Sequence, residues 1–135
     1  MAQNFLLEVA TPERLVIREQ VTEAQIPAKE GMIGVLPDHA ALVGELGYGT
    51  LSYMLVDGRN SMVICGGFLE IRDNQVRVLA DRAEKLNEID VARAQSALKR
   101  AEERLAAPLS AGVDVARALN AKSRAEARLA ASKAR

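Results

Sequence analysis

Val76-Arg77-Val78-Leu79-Ala80-Asp81-Arg82-Ala83-Glu84-Lys85-Leu86-Asn87-Glu88-Ile89-Asp90-Val91-Ala92-Arg93-Ala94 is the stretch on which one kind of polypeptide gives way to another. On its N-terminal side lie all four aromatic residues, Phe5, Tyr48, Tyr53 and Phe68, and eight of the nine glycines, all before residue 69. From Ala80 onward there are seventeen alanines and a single glycine, Gly112. Aromatic and β-branched side chains suit a pleated surface, whereas alanine loses least on entering a helix. The expected organisation is a β domain over residues 1–86 followed by a helical arm over residues 87–135, an α+β chain.

Upstream of the break the pattern is one of short strands. Phe5, Leu7 and Val9 alternate with Leu6, Glu8 and Ala10, and Thr11-Pro12 ends the run. Residues 15–17 and 21–26 read as two more strands, the second stopped by Pro27. Residues 51–56 lead into Asp57-Gly58, a strong hairpin signal, and residues 61–65 return. Residues 68–72 and 76–79 flank a second turn at Asp73-Asn74. Gly66-Gly67, between two apolar runs, marks a bulge or sharp bend. Many short strands separated by turn residues predict a sandwich or flattened barrel.

Downstream, Asn87 is placed to cap a helix that Asp90 supports and Pro108 stops after about Ala107. Ser110-Ala111-Gly112 leads into a second helix, residues 113–132. So short a connection makes the pair an antiparallel two-helix hairpin. Its expected seam is Ala94, Leu98, Ala101 and Leu105 against Ala118, Ala121, Ala125 and Leu129. Alanine permits close approach but removes little apolar area from water, so the hairpin is expected to be marginal alone and easy to open.

The net charge of zero conceals an asymmetry. Residues 1–80 carry six basic and ten acidic side chains, a balance of −4; residues 81–135 carry twelve and eight, a balance of +4. A basic arm on an acidic body can rest on its own domain or reach an acidic partner, though plain solvation of a helix surface also accounts for it. The one cysteine, Cys65, excludes an intrachain disulfide and fits a reducing compartment. No basic segment and apolar core open the chain, and no apolar run approaches a membrane span.

Few residues offer chemistry. His39 is the only histidine, and catalysis would need a nucleophile or carboxylate in reach, with Asp38 adjacent and Cys65 brought near only by folding. No spacing suits zinc, and Gly44-Glu45-Leu46-Gly47-Tyr48-Gly49 lacks both the dinucleotide pattern and the P-loop lysine, so it reads as a turn. Asp90 and Arg93 share the first turn of a helix, an ordinary i,i+3 pair. Arg124 and Arg128 share a helix face four residues apart, where two cations repel unless an anion lies between them. A folded-back hairpin would let Arg93 and Arg100 join them around a phosphate chain, with Asp90 orienting an arginine or accepting from a ribose or base.

Glu30-Gly31-Met32-Ile33-Gly34-Val35-Leu36-Pro37-Asp38-His39-Ala40-Ala41-Leu42, Gly66-Gly67-Phe68-Leu69-Glu70, Val78-Leu79-Ala80-Asp81-Arg82-Ala83-Glu84 and Ile89-Asp90-Val91-Ala92-Arg93-Ala94, in this order and spacing, resemble the epsilon subunits of bacterial F-type ATP synthases. The match runs from Phe5 through Leu129. The resemblance implies a flattened β-barrel at the foot of a central stalk, bound to the gamma subunit and the c-subunit ring, coupling proton- or sodium-driven rotation to ATP synthesis without catalysing it. It implies a hairpin that lies compact on the β domain or extends into the catalytic alpha/beta head, where it blocks hydrolysis. Some members bind ATP in the compact state, and the matching positions are Glu84, Ile89, Asp90, Arg93, Ala94, Arg100, Arg124 and Arg128. No cofactor is required, and ATP would act as a regulator. The c-ring contact is expected within residues 30–45, with Glu30, Met32, His39 and Leu42 as contact residues. Met32 departs from a common acidic residue there, and Asp38 from a common glycine. The implied location is the cytoplasmic face of the bacterial plasma membrane, peripheral and without a span.

Two other readings compete. An adaptor whose basic arm grips an acidic protein or nucleic acid predicts salt-sensitive binding to duplex DNA, although the arm lacks interleaved aromatics. A small enzyme built on His39 and Cys65 predicts activity lost in His39→Ala.

Overall fold

The structure, a computed structural model, describes residues 2–133; Met1, Ala134 and Arg135, which the expected units include, lie outside the described residues. Eight strands precede two helices: β1 (Phe5–Ala10), β2 (Leu15–Val21), β3 (Glu23–Ala28), β4 (Gly31–Val35), β5 (Leu42–Glu45), β6 (Tyr48–Leu55), β7 (Gly58–Arg72), β8 (Gln75–Lys85), α1 (Val91–Ala106) and α2 (Val115–Ser132). The strands form one mixed sheet in the order β2-β1-β8-β7-β6-β3-β4, with β5 paired to β7, and β1 runs parallel to β8. The sheet does not close into a barrel; it folds over into a sandwich.

The fold-over occurs where the sequence places two glycines. Before the bend Met62 and Ile64 face the core; after it Leu69 and Ile71 do, so the side-chain alternation of β7 changes phase. On β8, Val76, Val78 and Ala80 face inward and then Ala83 does, the same change one strand over. Gly66 and Gly67 have φ of 71° and 116°, in the region where a β-carbon is strained. A β-carbon on Gly67 would stand 2.1 Å from the Leu79 carbonyl oxygen. Here β7 stops pairing with β6 at Cys65 and takes up β5 from Phe68. Strands that cross between layers through a bulge are one way a sheet makes the corner of a sandwich. Phe5, Leu7, Val9, Ile26, Leu51, Met62, Ile64, Leu69 and Ile71 fill the space between the layers.

Several strands outrun the sequence reading. Residues 61–65 and 68–72 belong to one strand, and the last strand continues past Leu79 to Lys85. Pro27 lies within β3 rather than ending it. Pairing of β3 with β6 stops at Gln25, so the proline sits beyond that ladder. Strands β4 and β5 have only partial alternation and were missed; Gly44-Glu45-Leu46-Gly47-Tyr48-Gly49 is the end of β5, a bridge at Leu46 and the start of β6 rather than a simple turn. At Asp73-Asn74 both residues have positive φ, 51° and 57°, as a tight hairpin turn requires.

Asn87 does not cap α1. Residues Leu86–Glu88 form a 3-10 turn, and Asp90 is the cap, its Oδ1 accepting from the Arg93 backbone N–H at 3.0 Å. Asp114 caps α2 in the same way, accepting from the Arg117 backbone N–H at 3.0 Å. The helices lie side by side, and α2 rests on the outer face of β6 and β7. There Ala127 and Ala131 cover Val63, Cys65 and Ile89, a small cluster separate from the main core. Of the expected seam, Ala94, Ala101, Ala118 and Ala125 are buried, while Leu98, Leu105, Ala121 and Leu129 are only half-buried.

Candidate functional site

A cleft of about 370 Å³ opens along the hairpin, between the facing sides of α1 and α2 and the end of β8. Its walls include Glu84, Asp90, Arg93, Ala94, Arg100, Arg124 and Arg128. These are seven of the eight positions expected to meet a nucleotide. The eighth, Ile89, is not among the lining residues; it is buried with Val63 and Cys65 beneath α2 and anchors the start of the hairpin to the sheet. Arg82, Ala97, Arg104 and Arg117 also line the cleft.

The electrostatics of the cleft favour an anion. The acidic groups nearby are already engaged. Glu84 Oε1 accepts from Arg128 Nε, a half-buried pair that ties α2 to β8. Glu88 accepts from Arg14 at 3.0 Å, and Asp90 caps its helix. The Lys85 backbone N–H and then Arg14 hold the Glu88 carboxyl below its usual range. Among the described residues Arg82, Arg93, Arg100, Arg104, Arg117 and Arg124 make no ion pair, so the cleft presents six uncompensated guanidinium groups. Guanidinium forks match the oxygens of phosphate, and an alanine floor leaves room for a chain between them.

The sequence held a signal for three of the four additional lining residues, Ala97, Arg104 and Arg117. Positions 89–106 and 113–130 are an internal repeat at an offset of 24, identical at 12 of 18 positions. Asp90-Val91-Ala92-Arg93-Ala94 recurs as Asp114-Val115-Ala116-Arg117-Ala118. Each helix therefore carries the same row on one face, Arg93, Ala97, Arg100 and Arg104 on α1 and Arg117, Ala121, Arg124 and Arg128 on α2. All eight line the cleft.

The β body offers two other surfaces. Glu30 is exposed in the turn between β3 and β4, and Met32 is exposed on β4. His39 is half-buried, with Nδ1 2.7 Å from the Ala40 carbonyl oxygen, and Leu42 leans on the main core. Asp38 has φ of 62°, which accounts for glycine being at home there, and its Oδ2 accepts from the Ala2 backbone N–H at 2.9 Å. Away from the hairpin, Phe68 pairs with Leu79, Leu79 with Ala10 and Ala10 with Leu15 across adjacent strands. Phe68, Leu79 and Leu15 are 59%, 56% and 57% exposed, an apolar row on an outer face.

His39 and Cys65 are not brought together for catalysis. Cys65 is buried beneath α2, and burial pushes its thiol up against the opposing effect of Arg128, so it stays protonated and unreactive at neutral pH. Among the described residues no helix is long and apolar enough to cross a membrane.

Comparison with known proteins bears on both halves. The family model described as ATP synthase, Delta/Epsilon chain, beta-sandwich domain matches residues 4–86, and that for the long alpha-helix domain of the same chain matches residues 87–133. The chain is 53% identical over 108 residues to the ATP synthase epsilon chain of Solibacter usitatus, covering 80% of this chain and 81% of that one. It is 50% identical over 106 residues to that of Carboxydothermus hydrogenoformans, covering 78% and 79%. A chain in the cryo-EM structure of the Euglena gracilis mitochondrial ATP synthase OSCP/F1/c-ring superposes with a TM-score of 0.85 at 27% identity, covering 97% of this chain and 82% of that one. One from the central stalk/c-ring structure of the Tetrahymena thermophila mitochondrial ATP synthase shares the fold at a TM-score of 0.53 and 13% identity, covering 62% and 68%.

Proposed function

Because the chain belongs to the delta/epsilon family of F-type ATP synthase subunits, and so is a non-catalytic part of the central stalk, we propose that its β body is a fixed coupler and its hairpin a movable brake. The body joins the gamma subunit to the c ring. Residues 30–45 at one end meet the ring, through Glu30, Met32 and His39, and the row of Phe68, Leu79 and Leu15 meets gamma. The ring turns on proton or sodium flow, and the subunit sits peripherally on the cytoplasmic face of a bacterial plasma membrane.

The observation that carries the brake is the way the hairpin is held. Ala127 and Ala131 on a small apolar cluster, together with the Arg128–Glu84 pair, are its main attachments to the body. Such a contact is weak enough to exchange with an extended arm reaching the alpha/beta head and blocking hydrolysis. ATP held between Arg93, Arg100, Arg124 and Arg128 exists as a complex only while both helices are folded back. Binding therefore shifts population toward the compact, uninhibited state, by no more than the difference in affinity between the two states.

The test is ATP hydrolysis by the purified catalytic head, reconstituted with the full chain or with a truncation after Asp90 that keeps Ile89 on the sheet. The truncation is expected to raise hydrolysis while gamma binding persists; equal rates would reduce the chain to a coupler. Calorimetry with millimolar ATP should show heat from the full chain and none from Arg93→Gln/Arg128→Gln. No heat from either would remove the nucleotide.

A further inference from the structure

The repeat has a geometric consequence. Two copies of one sequence on antiparallel helices are related by an approximate two-fold axis across the hairpin, so the arginines that the helices place at one end of the cleft they place again at the other. At the sheet end stand Arg93 and Arg128; at the tip stand their counterparts Arg117 and Arg104. The tip pair borders a second hollow of about 280 Å³, walled also by Gly112, Val113 and Asp114. Asp114 is occupied as a helix cap, as Asp90 is, and neither Arg104 nor Arg117 makes an ion pair among the described residues. Each arginine row covers twelve residues, about three turns or ~16 Å of helix from first to last. That is longer than a triphosphate. Among the described residues no aromatic side chain lines the cleft, so it has no aromatic stacking platform for a base.

We propose that the hairpin cleft is a two-ended phosphate-chain site, in which Arg104 and Arg117 form a second subsite, and that its fitting ligand is a linear inorganic polyphosphate lying along the hairpin. Such a chain carries one anionic group per phosphorus without branches, which suits two facing guanidinium rows with an alanine floor between them. Filling both ends holds α1 to α2 along the whole cleft and relieves the repulsion among the arginines. The ligand thereby favours the compact hairpin. The proposal goes beyond the nucleotide reading and does not require it.

Titration of the full chain with sodium tripolyphosphate and with long-chain polyphosphate tests it. Engaging both ends with one chain is expected to tighten binding by about a hundredfold over tripolyphosphate, since the second contact becomes intramolecular. Arg104→Gln/Arg117→Gln should abolish that gain while tripolyphosphate still binds through Arg93 and Arg128. Arg104→Lys/Arg117→Lys should restore part of it. Circular dichroism checks that the helices persist, and Arg72→Gln/Arg77→Gln on the β body should leave the gain intact. Equal affinity for both chain lengths, a gain that survives the Arg104/Arg117 double variant, or polyglutamate of matched charge binding as tightly would each overturn the proposal. If ATP gives no heat but the chain-length effect tracks Arg104 and Arg117, the nucleotide reading fails and this one stands; the reverse pattern fails this one alone.

Discussion

The β body buries Phe5, Leu7, Ile26, Leu51, Met62, Ile64, Leu69 and Ile71, whereas every fully buried residue of α1 and α2 is an alanine. A large aliphatic or aromatic side chain removed from water contributes roughly 1.5–3 kcal/mol, and an alanine methyl well under half of that. The body is therefore held from within by its own core. The hairpin is held by an alanine seam between its helices and by a small contact of α2 with the body, against the repulsion of its arginines. Two regions of one short chain thus differ in what keeps them folded, and on that difference the proposed division into frame and brake rests.

The comparison breaks most visibly on the body side. Ile64→Ala should destabilise the whole chain by about 3 kcal/mol, read as a shift in denaturant midpoint by tryptophan-independent far-UV signal. Gly67→Ala should cost about 2 kcal/mol, because the added methyl meets the Leu79 carbonyl oxygen and the backbone is left-handed there. On the hairpin side the same class of change should leave the body intact. Ala131→Glu should free α2 from the sheet, raising thiol labelling of Cys65 by at least about tenfold, a shift of about 1.4 kcal/mol, with the β-body midpoint unchanged. Glu84→Gln should weaken docking by about 1 kcal/mol and raise the labelling rate less.

The smallest effect is on pH. The Glu88 carboxyl is held below its usual range by the Lys85 backbone N–H and by Arg14. A depressed carboxylate contributes its stability in full above the ordinary carboxylate range and loses it as pH falls through the lowered value. Because the group is well exposed, the loss is small. Cys65 labelling measured down a pH series, relative to that of a free thiol at each pH, should begin to rise in that acid window, and the rise should be absent in Glu88→Gln.

Much of this division is legible in the sequence. The core positions Phe5, Leu7 and Val9 followed from alternation, the turn at Asp73-Asn74 from its residues, and the hairpin from the change in composition at Ala80. The long strands were not legible, because a phase change at Gly66-Gly67 and Asp81 breaks the alternation on which strand reading depends. The docking of Ile89 was hidden for a related reason. Its isoleucine belongs in sequence to the helix start but in space to the sheet. Arg104 and Arg117 were within reach, since the repeated Asp-Val-Ala-Arg-Ala announces them, but repeats within helices of such uniform composition are easily read as composition. The adaptor reading rested on the basic arm alone, and membership of the stalk family displaces it. Burial of the Cys65 thiol, apart from His39, leaves the enzyme reading without a nucleophile.

Amide hydrogen exchange of the intact chain under native conditions measures the two regions at once. The account predicts that amides of β6 and β7 around Leu51, Met62 and Ile64 exchange only through global unfolding. Those of α1 and α2 around Ala94, Ala101 and Ala125 should open at a much lower free energy, in step with exposure of Cys65. A single opening free energy with one denaturant dependence across both regions would contradict it.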